Sequence, residues 1–267
     1  ALYSLLIWRT LKKPFLVVLM LLLVLIMTRC GGKKERQGET ETSISAQQGG
    51  TEVVRQQKLG TVTQTEDGCV QITTEENGES VDHVFTDLKM DDWCVPAVNF
   101  VVTNGLMGGT DAGGGKSQFR PNYGMSRAQL AMILYRFADG EPVSSPRSYA
   151  DVTQSDWSYD CVNWADANGY IKALDGENFG AEEYFSCEQV LTILYRLAGS
   201  PSSNAALEDY PYAAKVGEYH LSAVRWAWEK GLIAEDECVW YPTQAISRAQ
   251  TALLLMRYDL LIGAPEK

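Results

Sequence analysis

The sequence has no C-x-x-C pair, no phosphate-binding glycine loop, no G-x-S-x-G elbow and no H-E-x-x-H helix. The common signatures of dithiol redox, nucleotide, serine-hydrolase and zinc-protease chemistry are therefore missing. Its two histidines, His83 and His220, lack metal-ligand spacing, and no metal or other cofactor is expected. Carboxylates are plentiful, but no pair stands out as a glycosidase acid and base, so the chain reads as a non-enzyme. The six cysteines need not form a framework, because a chain of 267 residues can bury a core without staples. Cys161 in particular reads as a small buried apolar residue.

Basic charge is also scarce. Four of the 23 Lys and Arg residues and none of the 34 acids fall in the first 30 positions, so the remainder is more acidic than the net charge of −11 suggests. Such a surface repels phosphates instead of releasing their counterions, and no nucleic-acid partner is expected. An acidic polymer could be held only by a few focal arginines.

An unbroken apolar run does occur, from Phe15 to Met27, behind Arg9, Lys12 and Lys13. It is short for a bilayer span, which needs roughly 17 to 25 residues, and suits the apolar core of an export leader. Cys30, followed by Gly31 and Gly32, resembles an acylated lipoprotein cysteine, although Arg29 stands where a small residue is usual. A cleaved leader, an uncleaved membrane anchor and lipidation at Cys30 all place the rest of the chain outside the cytoplasm, at the cell surface or wall. From Gly31 to Asp67 few large apolar residues occur, too few to offset the entropy of ordering, so a disordered tether is expected. The stretch 68–84 alternates weakly around Asn77-Gly78, a favourable hairpin turn.

The rest of the chain is repetitive. MSRAQLAMILYRFA (Met125 to Ala138) recurs as FSCEQVLTILYRLA (Phe185 to Ala198) and ISRAQTALLLMRYD (Ile246 to Asp259), with Ser126, Ser186 and Ser247 at the helix N-cap position. Leu130, Ile133, Leu134 and Phe137 follow the i, i+3, i+4, i+7 rhythm, as do Val190, Ile193, Leu194 and Leu197. An earlier helical block precedes each copy. There Trp93 aligns with Trp157 and Tyr219, and Gly105 aligns with Gly169 and Gly231, placed to end a helix in the left-handed conformation. The loops between the blocks hold FRPN, FGAE and WYPT, beginning at Phe119, Phe179 and Trp240.

This order of parts resembles the S-layer homology domain in three tandem copies: an F-x-D block, a tryptophan, Gly-hydrophobe-x-Gly, an F-x-P loop and a T/S-R-A-E/Q helix. The resemblance implies an all-α, pseudo-threefold helical bundle with grooves between neighbouring repeats. The expected layout is a leader or anchor at 1–30, a linker at 31–67, a hairpin at 68–84, and repeats at 85–141, 149–200 and 207–262. It also implies non-covalent binding of secondary cell-wall polysaccharide, often pyruvylated, which would tether the membrane or an envelope protein to the bacterial wall. Two alternatives stay open: a self-assembling surface protein that holds no sugar, and an enzyme acting on wall glycan.

A pyruvate ketal presents a carboxylate, and a guanidinium in the first turn of a helix could meet it beside free backbone N–H groups. Arg127 and Arg248 are so placed, Ser126, Ser186 and Ser247 can cap and face a ligand, and Trp93 and Trp157 could stack on sugar or pack at the core edge. By match to the motif, Asp87, Trp93, Gly108, Ser126 and Arg127 make a full set in the first repeat, with Asp151 its counterpart in the second. The second repeat has Cys187 in place of the arginine, and Lys172 and Ala234 replace the second glycine. Arg127 is therefore expected to matter more than Arg248. Arg136, Arg196 and Arg257, deeper in the second helices, read as structural partners of carboxylates.

Overall fold

The computed structural model describes residues 57–235 and 238–263; the apolar stretch at 1–30, Cys30 and most of the 31–67 stretch lie outside them. Among the described residues six α-helices follow one another as three successive pairs along the sequence: α1 (Val95–Thr103) then α2 (Arg127–Phe137), α3 (Tyr159–Ala167) then α4 (Cys187–Leu197), and α5 (Leu221–Glu229) then α6 (Arg248–Leu261). The second helix of each pair starts at its serine. At Ser126 and Ser247 the hydroxyl accepts the N–H of Gln129 or Gln250, whose side-chain oxygen in turn accepts the serine N–H. That reciprocal capping box satisfies two of the end groups a helix leaves open. The first helices stop where expected, with Gly105, Gly169 and Gly231 at φ of 65°, 73° and 73°. Arg136, Arg196 and Arg257 then hold the turns that follow, but through backbone carbonyls: Arg136 donates to Gly105 and Leu106, Arg196 to Tyr170 and Arg257 to Leu232.

The pairs interlock in a cycle. Each second helix packs on the first helix of the following pair, α2 on α3 and α4 on α5, and α6 returns to α1 and closes the ring. The apolar stripes supply these contacts, for Leu130, Leu134, Val190, Leu194, Leu254 and Tyr258 are all buried. Tyr135 meets Trp164 across the first contact and Tyr195 meets Trp226 across the second, each with ring centroids 5.6 Å apart. The residues just ahead of the three caps meet at the centre. Met125 N–H donates to Ile246 C=O at 3.0 Å, Ile246 N–H to Phe185 C=O at 2.9 Å, and Phe185 N–H to Met125 C=O at 3.2 Å. This closed triangle of backbone bonds, with all three side chains buried, marks the pseudo-threefold axis.

The protein is nevertheless not all-α. A five-stranded mixed sheet stands beside the ring, in the order β1 (Thr61–Gln64), β2 (Val70–Glu76), β3 (Glu79–Phe85), β5 (Lys116–Gln118), β4 (Thr110–Gly113). β2 and β3 form a hairpin around Asn77 and Gly78, both at positive φ, and β1 extends it from inside the stretch read as a tether. β3 then pairs in parallel with β5, which a glycine-rich turn at 113–115 folds back on β4. The physical reason lies in α1, VPAVNFVVT, in which every residue but Pro96 is buried, Asn99 and Thr103 included. A helix buried all round needs cover on more than one side. Helix α6 covers one, and β2, with Val70, Ile72 and Thr74 buried, packs on it as well. Gly60 anchors the start of the sheet on the same helix: its N–H donates to Asn99 Oδ1 at 2.9 Å and to Thr103 Oγ1 at 2.9 Å. Only glycine fits there, since a Cβ would lie 2.5 Å from the Thr73 carbonyl oxygen.

Among the described residues no helix is long and apolar enough to cross a membrane. Cys69, Cys94, Cys161 and Cys187 are buried free thiols.

Candidate ligand-binding grooves

Each second helix drives its N-terminus into the loop of another repeat. The Arg127 and Ala128 amides donate to Glu183 and Ala181 in the second repeat, those of Cys187 and Glu188 to Gln244 and Pro242 in the third, and those of Arg248 and Ala249 to Tyr123 and Pro121 in the first. With the third amide taken by the serine cap in α2 and α6, the first-turn N–H groups are not free for a ligand as expected. A bound anion must be met by side chains.

The arginines follow the same cyclic rule. Arg248 donates from Nε to Phe119 C=O at 2.8 Å and from Nη2 to Gly108 C=O at 2.7 Å, with its guanidinium 4.9 Å from the Phe119 ring centroid. Arg127 does the same one repeat on, from Nε to Phe179 C=O at 3.0 Å and from Nη2 to Lys172 C=O at 2.5 Å, between the rings of Phe179 and Phe185. From the other side each loop is held by its own aspartate. Asp87 accepts the amides of Phe119 and Arg120, and Asp151 those of Phe179, Gly180 and Ala181. One aromatic residue thus gives its N–H to the aspartate of its own repeat and its C=O to the arginine of a neighbour. Neither aspartate caps the segment directly after it.

Desolvation lowers both guanidinium pKa values. Asp151 and then Glu183 oppose this at Arg127; at Arg248 Asp87 opposes it and Arg120 adds to it. Burial raises the Asp151 carboxyl, but the amides of Ala181, Phe179 and Gly180 outweigh it and the net shift is downward. A carboxylate with a depressed folded pKa contributes stability above its unfolded value, 3.8, and loses it as pH falls through the folded value. Asp151→Asn should therefore lower stability at neutral pH and flatten the acid limb of a urea-midpoint profile below about pH 4. An acid limb unchanged by the substitution would contradict this role.

The expected set of the first repeat is thereby divided. Asp87 and Gly108 share a groove with Arg248, whereas Arg127 belongs with Asp151 and Lys172. Ser126 is 5% exposed with its hydroxyl engaged in the cap, while Ser186 and Ser247 are half-buried. Trp93 is half-buried against the core, and Trp157 is 59% exposed. Gly108 is exposed, and a Cβ there would meet nothing within 4 Å. Lys172, its counterpart, brings Nζ back to within 3.5 Å of the Cβ position of Gly169.

The third interface is built differently. Cys187 is buried, its thiol pushed up to about 12 by burial first and then by Cys238 and Glu188. The carbonyl that an arginine holds elsewhere, here Trp240 C=O, accepts the hydroxyl of buried Tyr210. Tyr212 packs on Tyr241 at 5.0 Å, and among the described residues Asp209 accepts no loop amide as Asp87 and Asp151 do. The glutamate beside the cysteine, Glu188, is also buried and accepts the Gly217 N–H at 2.8 Å. This interface is a packed tyrosine cluster with no guanidinium at the Cys187 position. The signal was present in the sequence as the cysteine itself and the tyrosine-rich DYPY run.

What the fold defines is a ring of three helical repeats, two of whose loops are clamped between an aspartate of one repeat and an arginine of another. Comparison with known proteins names one part of it. Residues 84–131 match the family model of the S-layer homology domain, so the chain carries an S-layer homology domain from the end of β3 to the middle of α2. The match covers one copy, not the three expected. The chain is also 26% identical over 136 residues to a cellulosome-anchoring protein of Acetivibrio thermocellus, an alignment covering 49% of this chain and 30% of that relative.

Proposed function

We propose that the chain anchors an envelope component to the bacterial cell wall by holding a carboxylate-bearing secondary wall polysaccharide, without catalysis. The S-layer homology match and the anchoring relative support attachment to the wall in general. The finer reading rests on Arg248. Two of its donors fix it to Phe119 and Gly108 of the first repeat, and a guanidinium has further N–H groups for a ligand carboxylate. Gly108 leaves open space at the same point.

Two measurements test this. Purified wall sacculi should retain the protein and lose it after the secondary polysaccharide is stripped; retention on stripped sacculi would sink the reading. Gly108→Ala, for which the fold has room, should leave the urea midpoint unchanged and weaken wall retention if a sugar approaches the backbone there. Unchanged retention would move the ligand away from Gly108.

A further inference from the structure

We propose that Tyr123 and Tyr184 form an aromatic platform beside the Arg248 groove that carries the neutral pyranose next to the carboxylated sugar, with Arg120 fixing the first ring and donating to that sugar's hydroxyls. This rests on the polysaccharide reading and extends it by one sugar.

Both tyrosines are 62% exposed. They are carried by neighbouring backbone. Tyr184 lies over Gly124, next to Tyr123, so closely that a Cβ on Gly124 would stand 2.7 Å from the Tyr184 ring. The backbone bridges Gly124 to Ser247 and Ser126 to Tyr184 hold the loops of two repeats and the cap of α6 together at that point.

The platform is continuous with the groove. Residues 120–123 form a turn closed by the Tyr123 N–H on Arg120 C=O at 3.1 Å. That turn is wrapped on Arg248, whose Nε holds Phe119 C=O and whose backbone N–H holds Tyr123 C=O at 2.9 Å.

The backbone of Arg120 belongs to the loop clamp, since its N–H goes to Asp87 as that of its counterpart Gly180, at φ 79°, goes to Asp151, but the clamp makes no use of the side chain of Arg120. Its φ is 57°, a strained conformation for a side chain other than glycine or asparagine, and its guanidinium sits 5.3 Å from the Tyr123 ring centroid. Among the described residues no carboxylate lies within ion-pair distance of it, in a chain of net charge −11. It also stands close enough to depress the Arg248 guanidinium. A guanidinium with no carboxylate partner beside two exposed rings suits a neutral sugar that follows the acidic one on Arg248: the guanidinium takes one face of Tyr123 and the other is left to stack.

Calorimetry on the full chain separates the possibilities, with a pyruvate-ketal monosaccharide and the disaccharide that extends it by one neutral pyranose as probes. The disaccharide should bind more tightly. Tyr123→Ala and Tyr184→Ala should each weaken it roughly three- to tenfold and leave the monosaccharide unchanged. Arg120→Asn, which keeps a residue tolerant of positive φ, should act in the same direction, and urea midpoints would confirm that each variant folds. Equal wild-type affinity for both probes, or variants that weaken both alike, would overturn the platform while leaving the polysaccharide reading intact. No binding of either probe to the wild type would take down both.

Discussion

Arg248→Ala should weaken binding of a pyruvylated wall fragment roughly ten- to a hundredfold, because a charge-assisted contact to a carboxylate contributes about 1.5 to 3 kcal/mol. Arg127→Ala should cost less. The first-repeat set invited the opposite ranking, but Asp87 and Gly108 stand with Arg248, and Arg127 is nine-tenths buried with Phe179 C=O, Lys172 C=O and two aromatic rings as neighbours. Cys187→Ala should leave binding unchanged, since the thiol is shut in a tyrosine-lined interface. Arg248→Lys is the informative control: an ammonium keeps the charge but cannot hold Phe119 C=O and Gly108 C=O in the same fork and still present donors outward. It should recover only part of the affinity. A variant series in which Arg127→Ala alone abolished binding would reverse the assignment of the grooves.

Trp226→Ala should have the largest effect on stability, about 3 to 5 kcal/mol. The side chain is 1% exposed and meets Tyr195 of α4 at 5.6 Å and Tyr258 of α6 at 6.3 Å, so it joins three helices from two repeats. Folded domains have total stabilities of only about 5 to 15 kcal/mol, so urea titration should show a midpoint shifted far down or no folded baseline. Because the ring closes through α6 on α1, the loss should appear as one transition reported by tyrosine and tryptophan fluorescence and by helical circular dichroism together. Separate transitions for the repeats would mean the ring is not a cooperative unit.

The sequence makes the repeat legible, and with it the caps at Ser126, Ser186 and Ser247 and the left-handed turns at Gly105, Gly169 and Gly231, because these depend on neighbours within one helix turn. It makes the sheet much less so. Val70 and Ile72 alternate only briefly, and the β3–β5 pairing joins Phe85 to Ser117 across a glycine-rich insertion with no apolar rhythm. A clue did exist in α1, which is mostly apolar and has no charged residue on any face, and so required a second layer beyond another helix. The groove was least legible. Residues that align within one repeat do not meet in space, since Arg248 reaches back 140 positions to Gly108 and Arg127 reaches forward 45 positions to Lys172. A motif read copy by copy collects one residue from each of two grooves. The capping amides misled for a similar reason: nothing local shows that another repeat's loop takes the first two N–H groups of each second helix.

The most direct measurement is a crystal structure of the chain with a pyruvylated wall disaccharide bound. The carboxylate should lie on Arg248 in the groove between Gly108 and Asp87. A carboxylate held at Cys187 and the tyrosine cluster, or on a face away from both arginines, would contradict the assignment.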